Sequence, residues 1–243
     1  MRIERRKSIV SQVNSILSER IMSEQYASGS RLPSESELAS ELGVSRATVR
    51  SALGRLAGDG LVIRKQGDGT YVNAHIDDIP TRLGGFWDFL RLISNSGYQA
   101  SIQVLDQSVR PASAREAEAL RLAAGEEVLS LEREFCADGN PVILARSAVP
   151  LTLLREPAEQ CNAELPLGDF VPNYLTREIS YTIFDIEATM PDEKVSTILD
   201  IDRTTPVLRL AQVFFDKTGQ PVFHSLGHFQ DRLIPLRLVQ AWE

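Results

Sequence analysis

The 243-residue sequence predicts an α+β chain in two parts: three short helices closed by a hairpin, then a longer unit of antiparallel strands with interspersed helices. Three observations predict it. Apolar residues recur at helical spacing in short runs before residue 60, and two short strand-like runs follow on either side of Gln66-Gly67-Asp68-Gly69. Beyond residue 100, runs rich in β-branched and aromatic residues alternate with turn chemistry. The expected divisions are residues 1–74, a linker at 75–82 with Asp77, Asp78 and Pro80, and residues 83–243.

Composition narrows the class. With 43% apolar and 24% charged residues the chain can build cores and is not a disordered polymer. A polar start without a signal-peptide core, and no apolar run near about 18 residues, lead us to expect a cytosolic protein with no membrane partner. Cys136 and Cys161 lack metal or redox spacing and read as reduced structural thiols. The net charge of −7 divides unevenly: residues 1–75 carry 11 basic against 8 acidic side chains and the remainder 15 against 25. A polyanion would favour the first part and be repelled by the second.

In the first part, Ile9, Val13, Ile16, Leu17 and Ile21 make one apolar stripe on a helix. Ser34 and Glu37 have capping-box spacing, so a second helix starts there and ends before Gly43. Ser45 caps a third, whose Val49, Ala52, Leu53 and Leu56 share the buried face while Arg46, Ala47, Arg50 and Ser51 point away. Taken alone, this is equally a surface helix with two solvated arginines. The strand-like runs Leu61 to Lys65 and Thr70 to Val72 add a hairpin, and helix, turn, helix and hairpin in this order make a winged helix-turn-helix. The basic N-terminal half of the third helix suits a major groove. The side-chain-free wing tip suits close approach to a sugar-phosphate backbone, with Arg64 and Lys65 at its base.

The runs Leu32-Pro33-Ser34-Glu35, Leu42 to Arg50, Gly60-Leu61 and Gly67 to Val72 resemble the GntR family of bacterial regulators over about 65 residues. The resemblance implies that Ser45, Arg46, Thr48 and Arg50 contact an operator and that Gly69 reaches the minor groove. With Ser34 and Glu35 of the matched run, and Arg64 and Lys65, these form the candidate DNA-binding set. Ser36 stands where many members have an arginine, which removes one of their contacts here.

The second part predicts a helix through Phe86, Trp87, Phe89, Leu90 and Ile93 that ends at Gly97, and further helices over Ala114 to Leu122, Leu167 to Leu175 and Asp192 to Leu199. Strands are expected over Ser101 to Val109, Val128 to Cys136, Pro141 to Val149, Tyr181 to Ala188, Val207 to Phe215 and Pro221 to Gln230. Asp138-Gly139-Asn140-Pro141 and Lys217-Thr218-Gly219-Gln220 read as hairpin turns. With Leu131-Glu132-Arg133 and Val149-Pro150, the pattern is similar to the HutC-like sensor, which implies a chorismate-lyase-like fold (a UTRA domain). A Schiff-base sensor is excluded by length, and only Lys194 and Lys217 lie beyond the linker.

Alternation sets Arg133 on the apolar face with Leu129, Leu131 and Phe135. Its anionic partner is either an internal carboxylate such as Asp185 or Glu187, or a ligand held bidentately. The resemblance implies a ligand, and implies an anion site at Gly84-Gly85 before the Phe86 helix, a pair that otherwise reads as an ordinary cap. Where sugar-phosphate-sensing relatives have a second arginine and two carboxylates, this chain has Phe135, Ala145 and Phe223, which points to a smaller, less hydroxylated anion. His224 either bonds the effector or closes a core network, and Tyr174 and Arg146 are weaker candidates. The effector set is therefore Gly84, Gly85, Phe86, Arg133, Phe135, Tyr174, Phe223 and His224. His224 and His228 stand about 13 Å apart on a strand, too far for one ion, so no metal and no cofactor is expected.

The expected function is a homodimeric, sequence-specific repressor, released from a two-fold operator by a small anionic effector and dimerised through the second part. The alternatives are an activator or dual regulator, an architectural DNA binder, and an enzyme of lyase-like fold. No nucleophile–base motif, metal triad or cofactor loop supports the enzyme.

Overall fold

A computed structural model describes residues 8–75, 89–230, 232–234 and 236, which fall into two compact units. The expected sites at Gly84, Gly85 and Phe86, and most of the expected linker, lie outside the described residues.

The first unit contains α1 (Ile9–Met22), α2 (Glu35–Leu42), α3 (Arg46–Gly58) and a hairpin of β1 (Val62–Lys65) and β2 (Gly69–Val72). Local chemistry sets each boundary. Ser34 caps α2 by accepting from the Glu37 amide, while the Glu37 carboxylate accepts from the Ser34 amide at 2.7 Å. Gly43 ends the helix in the left-handed conformation at φ 64°, and Ser45 starts α3 by accepting from Thr48 N–H. Val13, Leu17 and Ile21 of α1 meet Val49, Leu53 and Leu56 of α3 in one core, closed by Leu38, Leu61, Val62 and Val72. Sequence periodicity does not show that the segment before α2 joins the hairpin: Leu32 N–H donates to Thr70 and Val72 N–H to Ser30.

The second unit is a six-stranded antiparallel sheet in the order β3-β4-β5-β8-β7-β6. Its strands are β3 (Ala100–Pro111), β4 (Glu127–Ala137), β5 (Asn140–Pro150), β6 (Tyr181–Thr189), β7 (Val207–Phe215) and β8 (Pro221–Phe229). Among the described residues four α-helices attach to it: α4 (Phe89–Asn95), α5 (Ala114–Leu120), α6 (Leu167–Tyr174) and α7 (Glu193–Ile198). Each expected strand is present, and β3 is longer than alternation suggested. Helix α5 stops at Leu120 because Arg121 turns left-handed at φ 55°.

The sheet has two differently used faces. Over one lie α6 and the chain from Leu151 to Leu165, with Phe170, Val171 and Leu175 packed on Leu129, Leu131, Phe214 and Phe223. The other carries α5, through Leu120 on Val128 and Ala148, and α7, through Val195 and Leu199 on Leu144. Helix α5 also has an electrostatic anchor. Burial alone would push the Glu116 carboxyl up, but the two 2.8 Å bonds from Arg110 and those from Ser113 bring it down to about 2.

Two outcomes follow. A carboxyl depressed on folding contributes stability above its ordinary 4.5 and loses it as pH falls toward about 2. The urea midpoint of the wild type should therefore exceed that of Glu116→Gln above that window, and the gap should close across it. At Gly227 an added Cβ would stand 2.8 Å from the buried Phe229 ring, so Gly227→Ala should lower stability by about 1–3 kcal/mol in the same melts.

Candidate functional site

In the first unit one carboxylate organises the basic surface. Glu35 opens α2, and its oxygens accept from Arg50 Nε at 3.0 and 3.1 Å and from Arg50 Nη2 at 2.7 Å. Arg64 of the wing approaches it to 3.5 Å and Arg46 to 3.9 Å. The Arg50 bond holds the Glu35 carboxyl below its ordinary value against the opposing effect of burial. The three arginines remain exposed, with 45–63% of each side chain accessible, while Glu35 is at 20%. Residues from α2, α3 and the wing base thus present one cationic surface, with their guanidiniums oriented from beneath.

The remaining expected DNA contacts have structural duties as well. Ser34 and Ser45 are helix caps, and the Ser45 and Thr48 hydroxyls lie 2.9 Å apart. Lys65 Nζ sits 4.3 Å above the Tyr71 ring, and Tyr71 donates to Asp68 at 2.9 Å, so the wing strands are braced by side chains. At the tip, Gly69 has φ 150°, and a Cβ there would stand 2.8 Å from Arg31 Nε. Arg31 donates to the Asp68 carbonyl. The sequence reading missed Arg31, because only the third-strand pairing of its segment carries it to the wing.

In the second unit, Arg133 of β4 is 4% exposed. Its Nη1 donates to the Leu165 carbonyl at 3.1 Å, and the guanidinium lies 5.6 Å from the Phe135 ring centre. Glu187, one of the two carboxylates considered for it, instead accepts from Arg209. Arg133 lines a cavity of about 20 Å³ together with Phe135, Gln212, Phe214, Phe223 and Ser225, roofed by Phe89, Pro166 and Leu167. Two expected effector residues stand elsewhere. His224 follows Phe223 on a strand, so it points to the opposite face; its charged neighbours there are Glu116 and Arg115, and burial pushes its imidazole down. Tyr174 does not line the cavity and packs on Phe170 with ring centres 5.1 Å apart. Arg146 is likewise on the second face, donating to Glu132 at 2.7 Å, where Lys194 also donates at 2.6 Å. Gln212, Ser225 and Phe214 were missed because alternation fixes the face of a strand but not its neighbours.

Among the described residues no helix is long and apolar enough to cross a membrane.

Comparison with known proteins places these two sites in context. Residues 9–72 match the model of bacterial regulatory proteins of the gntR family, and residues 95–231, more than half the chain, match the UTRA domain. The chain is 30% identical over 204 residues to the probable fructoselysine utilization operon transcriptional repressor of Escherichia coli K12, covering 82% of this chain and 81% of that one. It is 25% identical over 212 residues to the transcriptional repressor NagR of Bacillus subtilis, covering 83% and 86% respectively. Among solved structures, PhnF of Mycobacterium smegmatis aligns with a TM-score of 0.60 at 26% identity, over 95% of this chain and 100% of that one. The possible regulator YydK of Bacillus subtilis shares the fold, with a TM-score of 0.71 at 19% identity over 97% and 100%.

Proposed function

The chain belongs to the GntR family of bacterial regulators and carries a UTRA effector-binding domain, and on that premise we propose that it is a homodimeric repressor released from a two-fold operator when a small anion occupies the Arg133 cavity. It is a DNA-binding regulator of transcription and not an enzyme. The observation that carries the proposal is the Glu35 cluster, which gathers Arg46, Arg50 and Arg64 from two elements onto one exposed surface. Ser34, Ser45, Thr48, Lys65 and the Gly69 tip complete the proposed contact set. Glu35 serves it by orienting the arginines, since its own charge would repel a phosphate.

Several features support the finer parts. The relatives above are named as repressors, which favours the same sign here. Among the described strands β6 is an edge of the sheet, and Tyr181, Ile183 and Ile186 on it and Met190 just after it are about half exposed. Such an edge needs a cover, which favours pairing of two copies through this unit. The proposed boundaries are 1–74 for the DNA reader, 75–82 for the linker and 83–243 for the sensor, in the cytoplasm where the operator lies. An anion that binds the released form more tightly lowers operator affinity by the same coupling free energy.

Selection of binding sites from a random duplex library, followed by anisotropy titration on the selected site, tests this. A palindromic sequence should emerge. Arg50→Ala should cost about 1–3 kcal/mol on it and relax base preference at one position per half-site. Lys65→Ala should weaken all sequences alike and reduce the salt slope by about 1. Equal binding of selected and random duplexes would overturn the proposal.

A further inference from the structure

We propose that the Arg133 cavity accepts a small monocarboxylate whose apolar body carries one neutral hydrogen-bond acceptor remote from the carboxylate, and that Gln212 reads this acceptor. The inference rests on the assignment of that cavity as the effector site and specifies the ligand class.

Strand register supplies the layout. The cross-strand row through Arg133 runs to Ala145, Gly227 and Leu210, and the adjacent row runs from Leu131 through Ser147 and Ser225 to Gln212. Arg133 and Gln212 therefore rise from strands three places apart, about 14 Å at the backbone. The positions between them are held by alanine, glycine and serine. Two long polar side chains thus face each other across a floor of small residues. That floor is fixed at Gly227, where a Cβ would meet the Phe229 ring at 2.8 Å.

Gln212 is the unexplained group. It is 1% exposed, and its Nε2 has no hydrogen-bond partner among the described residues. A buried donor left unmade keeps its desolvation penalty without return, and such groups in native proteins call for an explanation. Ser147 and Ser225 answer each other at 3.2 Å. Among the described lining residues, the amide of Gln212 is thus the donor without a partner, and it stands across the floor from the guanidinium of Arg133.

The rest of the wall decides the body of the ligand. Phe135, Phe214 and Phe223 surround the space, with Phe89 above. Hydroxyl groups or the further oxygens of a phosphate monoester would lie against these rings without partners among the described lining residues, at the desolvation cost of unmade hydrogen bonds. A carboxylate suits one planar guanidinium bidentately, an apolar ring or branched chain suits the phenylalanines, and one acceptor satisfies Gln212.

Calorimetric titration of the full chain with matched acids tests the assignment. Isonicotinate and benzoate share one shape and differ by a ring nitrogen in place of C–H; levulinate and isocaproate differ by a carbonyl in place of a branched carbon. Glycerol phosphate serves as the phosphate probe. In the wild type, the acceptor-bearing acid of at least one pair should bind about 5- to 100-fold more tightly than its mate. Gln212→Leu should abolish that preference without lowering the melting temperature, and Gln212→Met, of similar length and also lacking the donor, should do the same should the leucine variant misfold. Arg133→Gln should abolish binding of both acids. Equal affinities within both pairs, or a preference that survives both Gln212 variants, would overturn the role of Gln212 while leaving Arg133 as the anion site. Tighter binding of glycerol phosphate than of any acid would overturn the carboxylate class alone, and binding of no probe would overturn both this inference and the effector site beneath it.

Discussion

The pairing of β5 with β8 is the constraint on which the sensor depends. Six residue pairs, from Ile143↔Phe229 to Ala148↔His224, join the β3-β4-β5 meander to the β6-β7-β8 meander. Each meander is local in sequence, but β5 and β8 are separated by 70 residues, so the chain between them closes as a loop before the central pair forms. That one register decides which residues face one another. With it, Arg133 and Gln212 share a cavity; a slip by one residue would turn β8 over and bring His224 and His228 inward in place of Phe223 and Ser225.

In the DNA reader the organising element is a charge of the wrong sign. A carboxylate in a surface proposed to face a polyanion costs long-range attraction, yet Glu35 lies under the arginines, at less than half their exposure. Its benefit is conformational. Arginine loses rotamer freedom when it binds, and a guanidinium already held at 2.7 Å has less to lose. Exposed ion pairs add little to folding stability, so the cluster is better understood as shaping a surface than as holding the fold.

How far the sequence could be read followed the range of the forces involved. Ser34 with Glu37, Gly43, and Ser45 with Thr48 were legible because a cap involves residues three or four apart. The apolar face of Arg133 was legible because alternation is local to one strand. The expectation that both Phe223 and His224 serve one ligand ignored that same rule, since adjacent strand residues diverge. Gln212 and Arg31 carried no signal, because each matters only through what the fold brings close: the cavity shared with Arg133 for one, the tip of the wing for the other.

The bond from Arg133 to the Leu165 carbonyl has a kinetic meaning. If this cavity is the effector site as proposed, its volume of about 20 Å³ has room for one water molecule, so an organic anion would enter only as Pro166 and Leu167 yield and Arg133 exchanges a backbone oxygen for the ligand's. Occupancy would then be gated by the opening rate of this segment rather than by diffusion. A sensor built this way would filter time as well as chemistry: a brief pulse of ligand would pass unregistered, and once the anion was enclosed the signal would outlast the pulse that produced it.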